Sequence, residues 1–328
     1  MAPARISAMG WVLAASLALA LVACTAGDPE PPRPSAQVSD PTEPPSEALP
    51  TTSPERPAGV KPADFRPVIA LAAVRHLAGT IGPREASGPA YERAAGWVGR
   101  RFERLGLTVQ HQRVDVPAGT SWGVAVPAGR SVNVIAVPPG FVADQPHLVV
   151  GAHLDTVPQA PGAEDNASGI GVMLAVAEAT ALRRTRLPVV FVAFGAEEPR
   201  GETDADHHYG SRTYVRSLPA GERAAIKGML SLDRVGVGGV VSVGSARDGL
   251  DRAADQVEQA AEAAGVPFVR EDNRSSDHWQ FVLAGMPGVR LGSTPYAGYH
   301  SPQDVPEVIE PDQLERTGRL VLAWLRPG

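Results

Sequence analysis

The sequence predicts an α/β fold in a single domain: a mostly parallel, mixed β-sheet covered by helices on both faces. Three observations carry that expectation. Short strand-like runs alternate along the chain with longer helical segments, the pattern of strands linked by crossover helices. Two of the runs, HLVVGAH (147–153) and PVVFVAFG (188–195), are nearly continuous in apolar residues, as expected of strands buried on both faces. The hydrophobic content is 43% of 328 residues, enough for a packed core and too much for general disorder.

The elements follow in order. Residues 66–79 and 89–105 read as helices, the second stopped by Gly106, since glycine enters the left-handed cap conformation without a Cβ penalty. LTVQHQRVDV (107–116) and SVNVIAV (131–137) read as strands, then 147–153. An apolar helix over 168–183 precedes the strand 188–195. GSRTYVRSL (210–218) is helical, IKGMLSL (226–232) and VVSVG (240–244) are strands, and 249–264 and 277–284 are helices. The strand GVRLG (288–292) and a helix over 311–325 close the chain, and no internal repeat is visible.

The first 62 residues stand apart. WVLAASLALALVA (11–23) is uncharged and apolar, preceded by Arg5. It is too short to span a bilayer, which needs about 20 residues, and fits the apolar region of a signal peptide. It ends in Leu21-Val22-Ala23-Cys24, which resembles a bacterial lipobox. A lipidated Cys24 would anchor the chain at the outer face of a membrane. From there to residue 62 the chain is rich in proline, with 11 of them between 25 and 62, and reads as a disordered tether. The expected organisation is therefore a signal peptide (1–23), a tether (24–62) and one catalytic domain (63–328). Cys24 is the only cysteine, which excludes an intrachain disulfide and a cysteine zinc finger. The net charge of −6 argues against a nucleic-acid partner held by a basic surface.

In open α/β sheets ligands bind beyond the carboxyl ends of the strands, and candidate chemistry gathers there. His153 ends the strand 147–153, and Asp155 follows it. Asp165 lies in the loop before the helix 168–183. Glu197 and Glu198 follow the strand 188–195, Asp233 follows 226–232, and His300 lies beyond 288–292. Any one of these alone reads as a loop acid or surface histidine. Residues of this type arriving from four strands at one edge point to a metal centre.

The motifs AHLDT (152–156), EDNASG (164–169), FGAEE (194–198), LDRVG (232–236), SDHWQF (276–281) and YHSPQD (299–304) resemble, in order, those of the co-catalytic zinc aminopeptidase family. That group includes secreted bacterial aminopeptidases and glutamate carboxypeptidase, and the resemblance covers nearly all of 66–325. It implies the zinc aminopeptidase-like fold and two Zn²⁺ per chain. One would be held by His153 and Asp233, the other by Glu198 and His300, with Asp165 bridging both. It further implies that Glu197 is the general base toward a water between the metals, and that Asp155 orients His153 by accepting its second ring proton. Tyr299 would donate to the oxyanion, or else simply pack. Three carboxylates and a hydroxide would neutralise the two ions.

The implied activity is an extracytoplasmic aminopeptidase, lipid-anchored or secreted, acting on peptides. A glutaminyl-peptide cyclotransferase of the same fold and a metal-free binding lipoprotein are the alternatives. Among the remaining residues, Asn166 is expected to shape the turn that presents Asp165. Asp277 and His278 are expected to be structural. His207 and His208 are placed in a solvated loop (199–210) at the pocket rim, and His76, His111 and His147 on the surface or in strands. Arg234 either faces the cleft, where it would attract a substrate carboxylate, or pairs with a surface acid.

Overall fold

A computed structural model describes residues 57–247, 249–293 and 296–328. The expected signal peptide, Cys24 and most of the tether lie outside the described residues. The tether's expected end at residue 62 falls inside packed chain: Val60 is fully buried and its N–H donates to Arg184 O (2.9 Å), while Gly59 bridges Arg184. Val60 is an apolar side chain with a core to enter, which outweighs the proline-rich character around it.

Helix α1 (Pro67–Val74) starts on a proline, whose missing N–H costs nothing in a first turn. It runs into a π-type turn (Arg75–Ile81) that Gly82 ends at φ 79°. Helix α2 (Pro89–Arg104) buries Tyr91, Ala94, Ala95, Val98 and Phe102 along one stripe and stops before Gly106, also at φ 79°. Strand β1 (Thr108–Val116) is followed by a hairpin of β2 (Gly119–Ser121) and β3 (Val124–Val126), then β4 (Gly129–Val137) and β5 (His147–His153). Next come α3 (Gly169–Thr180), β6 (Val189–Phe194), α4 (Tyr209–Ser217), α5 (Ala220–Ala225), β7 (Ile226–Leu232) and β8 (Val241–Ser245). Helix α6 (Arg252–Ala264) is capped by Asp251, whose carboxylate accepts from Ala253 N and Ala254 N. Strand β9 (Phe268–Asp272), α7 (His278–Leu283), β10 (Gly288–Gly292) and α8 (Pro311–Leu325) complete the order.

The eight-stranded sheet has the order β1-β4-β6-β5-β7-β10-β8-β9. Its centre is parallel: β6 with β5, β5 with β7, and β7 with β10. The β8–β9 pair is parallel as well, and the β1–β4, β4–β6 and β10–β8 pairs are antiparallel, so four of the seven pairings are parallel and the sheet is mixed and mostly parallel. Side chains alternate across a strand, and this divides the core in two. Leu148, Val150 and Ala152 of β5, with Val189, Phe191 and Ala193 of β6, join the larger core with α1, α2, α3, α6 and α8. Val149, Val190, Val192 and Phe194 point the other way, onto Tyr214 and Val215 of α4 and Phe281 of α7. The four parallel strands β6, β5, β7 and β10 consequently end on one edge, and the candidate residues are there.

Candidate metal centre and active site

His153 is the last residue of β5. The loop beyond it is held by Arg84, a fully buried guanidinium that donates to the carbonyls of Leu77, Leu154, Pro161 and Gly162. The turn Ala163–Ser168 then presents Asp165, with a cis peptide between Asp165 and Asn166. The Asp304 carboxylate clamps this turn by accepting from Glu164 N (2.7 Å) and Asp165 N (3.0 Å). Asn166 shapes it as expected. Its Oδ1 accepts from Gly169 N (3.0 Å) and Arg234 N (3.2 Å), and its Nδ2 donates to Leu232 O (2.8 Å), tying the turn to the end of β7.

The five expected ligands converge. Asp165 Oδ1 lies 3.1 Å from His153 Nε2, and Oδ2 lies 3.0 Å from His300 Nε2. Asp233 Oδ1 is 3.7 Å from His153 Nε2, and Glu198 Oε2 is 3.2 Å from His300 Nε2. Asp165 thus offers one oxygen to each side of a centre flanked by His153 with Asp233 and by His300 with Glu198. Glu197 Oε2 is 4.0 Å from His153 Nε2. All of these side chains are buried.

The electrostatics ask for cations. Burial pushes the Glu197 and Glu198 carboxyls up to about 8, with neighbouring carboxylates adding to the shift. Against its own burial, His300 is pulled up to about 10 by Glu198 and Asp165. Burial would raise Asp165 as well, but the adjacent His153 and His300 rings hold it well below the usual carboxylate range. His153 Nε2 and Glu198 Oε1 are buried atoms without a hydrogen-bond partner among the described residues. Oxygen and imidazole donors within 4.8 Å of one another, His153 with Asp165 and Glu198 and His153 with Glu197 and Asp233, suit zinc, which takes both ligand types.

Other expected residues fall in several places. The Asp155 carboxylate does not reach the His153 ring: Nδ1 is 3.7 Å from its Oδ1 and 3.3 Å from its backbone oxygen. It accepts instead from the N–H groups of Glu197 (3.0 Å) and Glu198 (3.1 Å), setting the segment that carries both acids. Tyr299 is 37% exposed and stacks on His300 with centroids 3.7 Å apart. Arg234 faces the cleft, its guanidinium 4.5 Å from the Tyr299 ring and its Nε 3.7 Å from Asp233 Oδ1. Asp277 and His278 are fully buried. His147 is a buried strand residue, His111 is exposed, and His76 stacks on Trp97.

His208 departs from expectation. It is 5% exposed, and its Nε2 lies 3.0 Å from Glu197 Oε1. The loop returns against the 196–198 segment, through His208 N to Glu197 O (3.0 Å) and Tyr209 N to Ala196 O (2.8 Å), which removes the ring from solvent.

Three contributors are absent from the sequence reading. Arg290, 2% exposed in β10, donates from Nε to Asp233 Oδ2 (3.2 Å) and from Nη2 to Asp233 O (2.7 Å), leaving Oδ1 for the centre. An arginine inside the apolar run GVRLG was the available signal, because a buried charge needs a partner. Asp304, within YHSPQD, is the clamp described above. Trp122, 54% exposed on the β2–β3 hairpin, packs its ring in a T-shaped contact with His300, centroids 4.4 Å apart.

A sequence profile described as Peptidase family M28 matches residues 133–325. The aminopeptidase YwaD of Bacillus subtilis (strain 168) is 32% identical over 205 residues, covering 59% of this chain and 44% of that protein. Leupeptin-inactivating enzyme 1 of Streptomyces exfoliatus is 32% identical over 190 residues, covering 55% and 39%. The chain thus spans less than half the length of these curated relatives. Among solved structures, a zinc aminopeptidase from Bacillus subtilis superposes with a TM-score of 0.71 at 20% identity, covering 79% of this chain and 94% of that one. A glutaminyl cyclase from Fimbriiglobus ruber gives 0.68 at 22% identity, covering 80% and 95%. These likenesses establish the zinc aminopeptidase fold.

Proposed function

The chain belongs to peptidase family M28, and from that premise we propose that it is a two-zinc aminopeptidase releasing N-terminal residues from peptides. The observation that carries the reading is Asp165, whose two oxygens sit 3.1 and 3.0 Å from the histidines of two separate donor groups. His153 and Asp233 would hold one ion, Glu198 and His300 the other, and Asp165 both. Bound there, zinc would supply Lewis acidity, activating water and polarising the scissile carbonyl.

The chain's own residues do the rest. Glu197 takes the proton of the attacking water and passes it to the leaving amine. Burial raises the proton affinity of the Glu197 carboxyl. Asp155 holds the Glu197 and Glu198 backbone so that the two neighbours serve different roles. Burial raises the Tyr299 phenol further above its usual range, so it stays protonated and donates to the developing oxyanion.

The test is a screen over aminoacyl and glutaminyl substrates with and without chelator. Release of free amino acid, lost on chelation, is the expected result. Cyclisation of glutaminyl peptides with about one zinc per chain would assign the glutaminyl-peptide cyclotransferase reading instead. Binding without turnover would leave a metal-free binding protein. Glu197→Gln should lower kcat by about 10²-fold or more with zinc retained; near-normal turnover would remove it as the base.

We further place the enzyme outside the cytoplasm, tethered through a lipidated Cys24, on the strength of the lipobox-like LVAC and the proline-rich stretch behind it. Cys24→Ser should release the protein from membrane fractions. Continued tight association would sink the anchor. Among the described residues no helix is long and apolar enough to cross a membrane.

A further inference from the structure

His208 stands at the entry to α4, and three features fix it there. Its N–H donates to Glu197 O (3.0 Å), and the next N–H, from Tyr209, donates to Ala196 O (2.8 Å). Gly210 allows the close approach, since a Cβ at that position would fall 2.1 Å from Gly195 O. The imidazole is buried, with Nε2 3.0 Å from Glu197 Oε1. Both ring nitrogens are buried and neither makes a fully aligned hydrogen bond among the described residues, so the approach to Glu197 is the ring's one close polar contact there. The second Glu197 oxygen, Oε2, is the one turned toward His153, at 4.0 Å.

We propose that His208 is a positioning residue for Glu197: its Nε2–H engages Oε1 and so keeps Oε2 facing the metal centre. The inference rests on Glu197 being the general base. A carboxylate rotates about its last torsion with little preference, so a base that must meet a water at one place needs an outside contact to fix it. Misplacement of a reacting group by about 1 Å costs about 10²-fold in rate. Two atoms at this distance without full alignment are what an active site shows before substrate is bound. Burial keeps the His208 ring on the neutral side, so it orients the carboxylate without adding a charge that would weaken its basicity. The backbone bonds from His208 and Tyr209 are independent of the side chain, so replacing the ring leaves them available.

The experiment compares His208→Leu with His208→Gln in the full chain. Glutamine places an N–H close to the imidazole Nε2 and cannot titrate in its place; leucine fills the volume and donates nothing. Both are assayed on whichever substrate class, aminoacyl or glutaminyl, the wild-type chain turns over. Failure of the aminopeptidase reading is thereby separated from failure of this one. His208→Leu should lower kcat by about 10- to 100-fold, with KM and zinc content unchanged, and His208→Gln should recover most of the loss. In Glu197→Gln the leucine change should cost nothing further. A crystal structure of His208→Leu should show the Glu197 carboxylate rotated from its wild-type orientation. Unchanged kcat, a loss that glutamine does not rescue, accompanying loss of zinc, or an unmoved carboxylate would each overturn the proposal.

Discussion

Asp165 has two oxygens and no spare one: each is committed to a different histidine, at 3.1 and 3.0 Å. Asp233 is different, because Arg290 takes its Oδ2 and only Oδ1 faces the centre. Under the proposed roles the two acids should therefore fail differently. Losing a hydrogen-bond partner of a ligand already costs roughly 10–100-fold in metal affinity, so losing a ligand costs more. Asp165→Ala should leave close to no zinc on dialysed protein, whereas Asp233→Asn should keep the ion between Glu198 and His300. Elemental analysis decides it, and two zincs retained in Asp165→Ala would refute the bridging role. The candidate ligands were legible in the sequence because each lies at or beyond a strand end in a recognisable motif. Arg290, Asp304 and His208 were not: their roles depend on which backbone or carboxylate lies opposite, and that is set by chain closure over about 60 to 140 residues (Arg290 with Asp233, Asp304 with Glu164) or by a loop's return path.

At the scale of elements, legibility followed burial. Strands β5 and β6 are buried along their length and read as apolar runs. The hairpin β2–β3 has strands of three residues, GTS and VAV, too short for any period to show. The edge strand β9, FVRED, pairs only with β8 and is largely exposed, so it carries no apolar signature. Helix α7 supplies a pH dependence that its sequence gave no hint of. The His278 ring is fully buried, its Nε2–H donates to Asn273 O (2.9 Å), and Nδ1 is a buried nitrogen without a partner. A second proton would be stranded there, and burial pushes the group down to about 4. Between that value and the ordinary 6.5 the unfolded chain binds a proton that the folded chain refuses, so stability falls as pH falls through this window. The gap, at ~1.4 kcal/mol per pH unit, amounts to about 3 kcal/mol, fully present above pH 6.5 and lost toward pH 4. Urea unfolding of wild type and His278→Gln, both in chelator so that ligand protonation is common to the two, should show a smaller acid-dependent loss in the variant. Parallel pH profiles would remove His278 as the cause.

Over the whole molecule, the net charge of −6 says little about function, because the acids that matter are gathered inside the fold. Asp165, Glu197, Glu198 and Asp233 are all buried at the edge where four parallel strands end. Burying carboxylates is unfavourable unless positive charge accompanies them. Arg290 against Asp233 is one such charge, and Arg234 near the same acid is another; among the described residues Glu198 pairs with His300 alone. A fold arranged this way should depend on bound cations for stability as well as for chemistry. The unfolded chain offers no such cluster, so binding selects the folded state by RT ln(1 + [L]/Kd), about 4 kcal/mol at a thousandfold excess over Kd. In a domain of this size each kcal/mol moves Tm by about 2–4 °C. Exhaustive chelation should therefore lower Tm by roughly 10 °C, with stoichiometric zinc restoring it, and Asp165→Ala should sit at the chelated value without responding to zinc. Scanning calorimetry measures all three states. A wild-type transition unmoved by chelator would mean that the strand-end cluster is stable without metal, and would count against zinc as a resident of this fold.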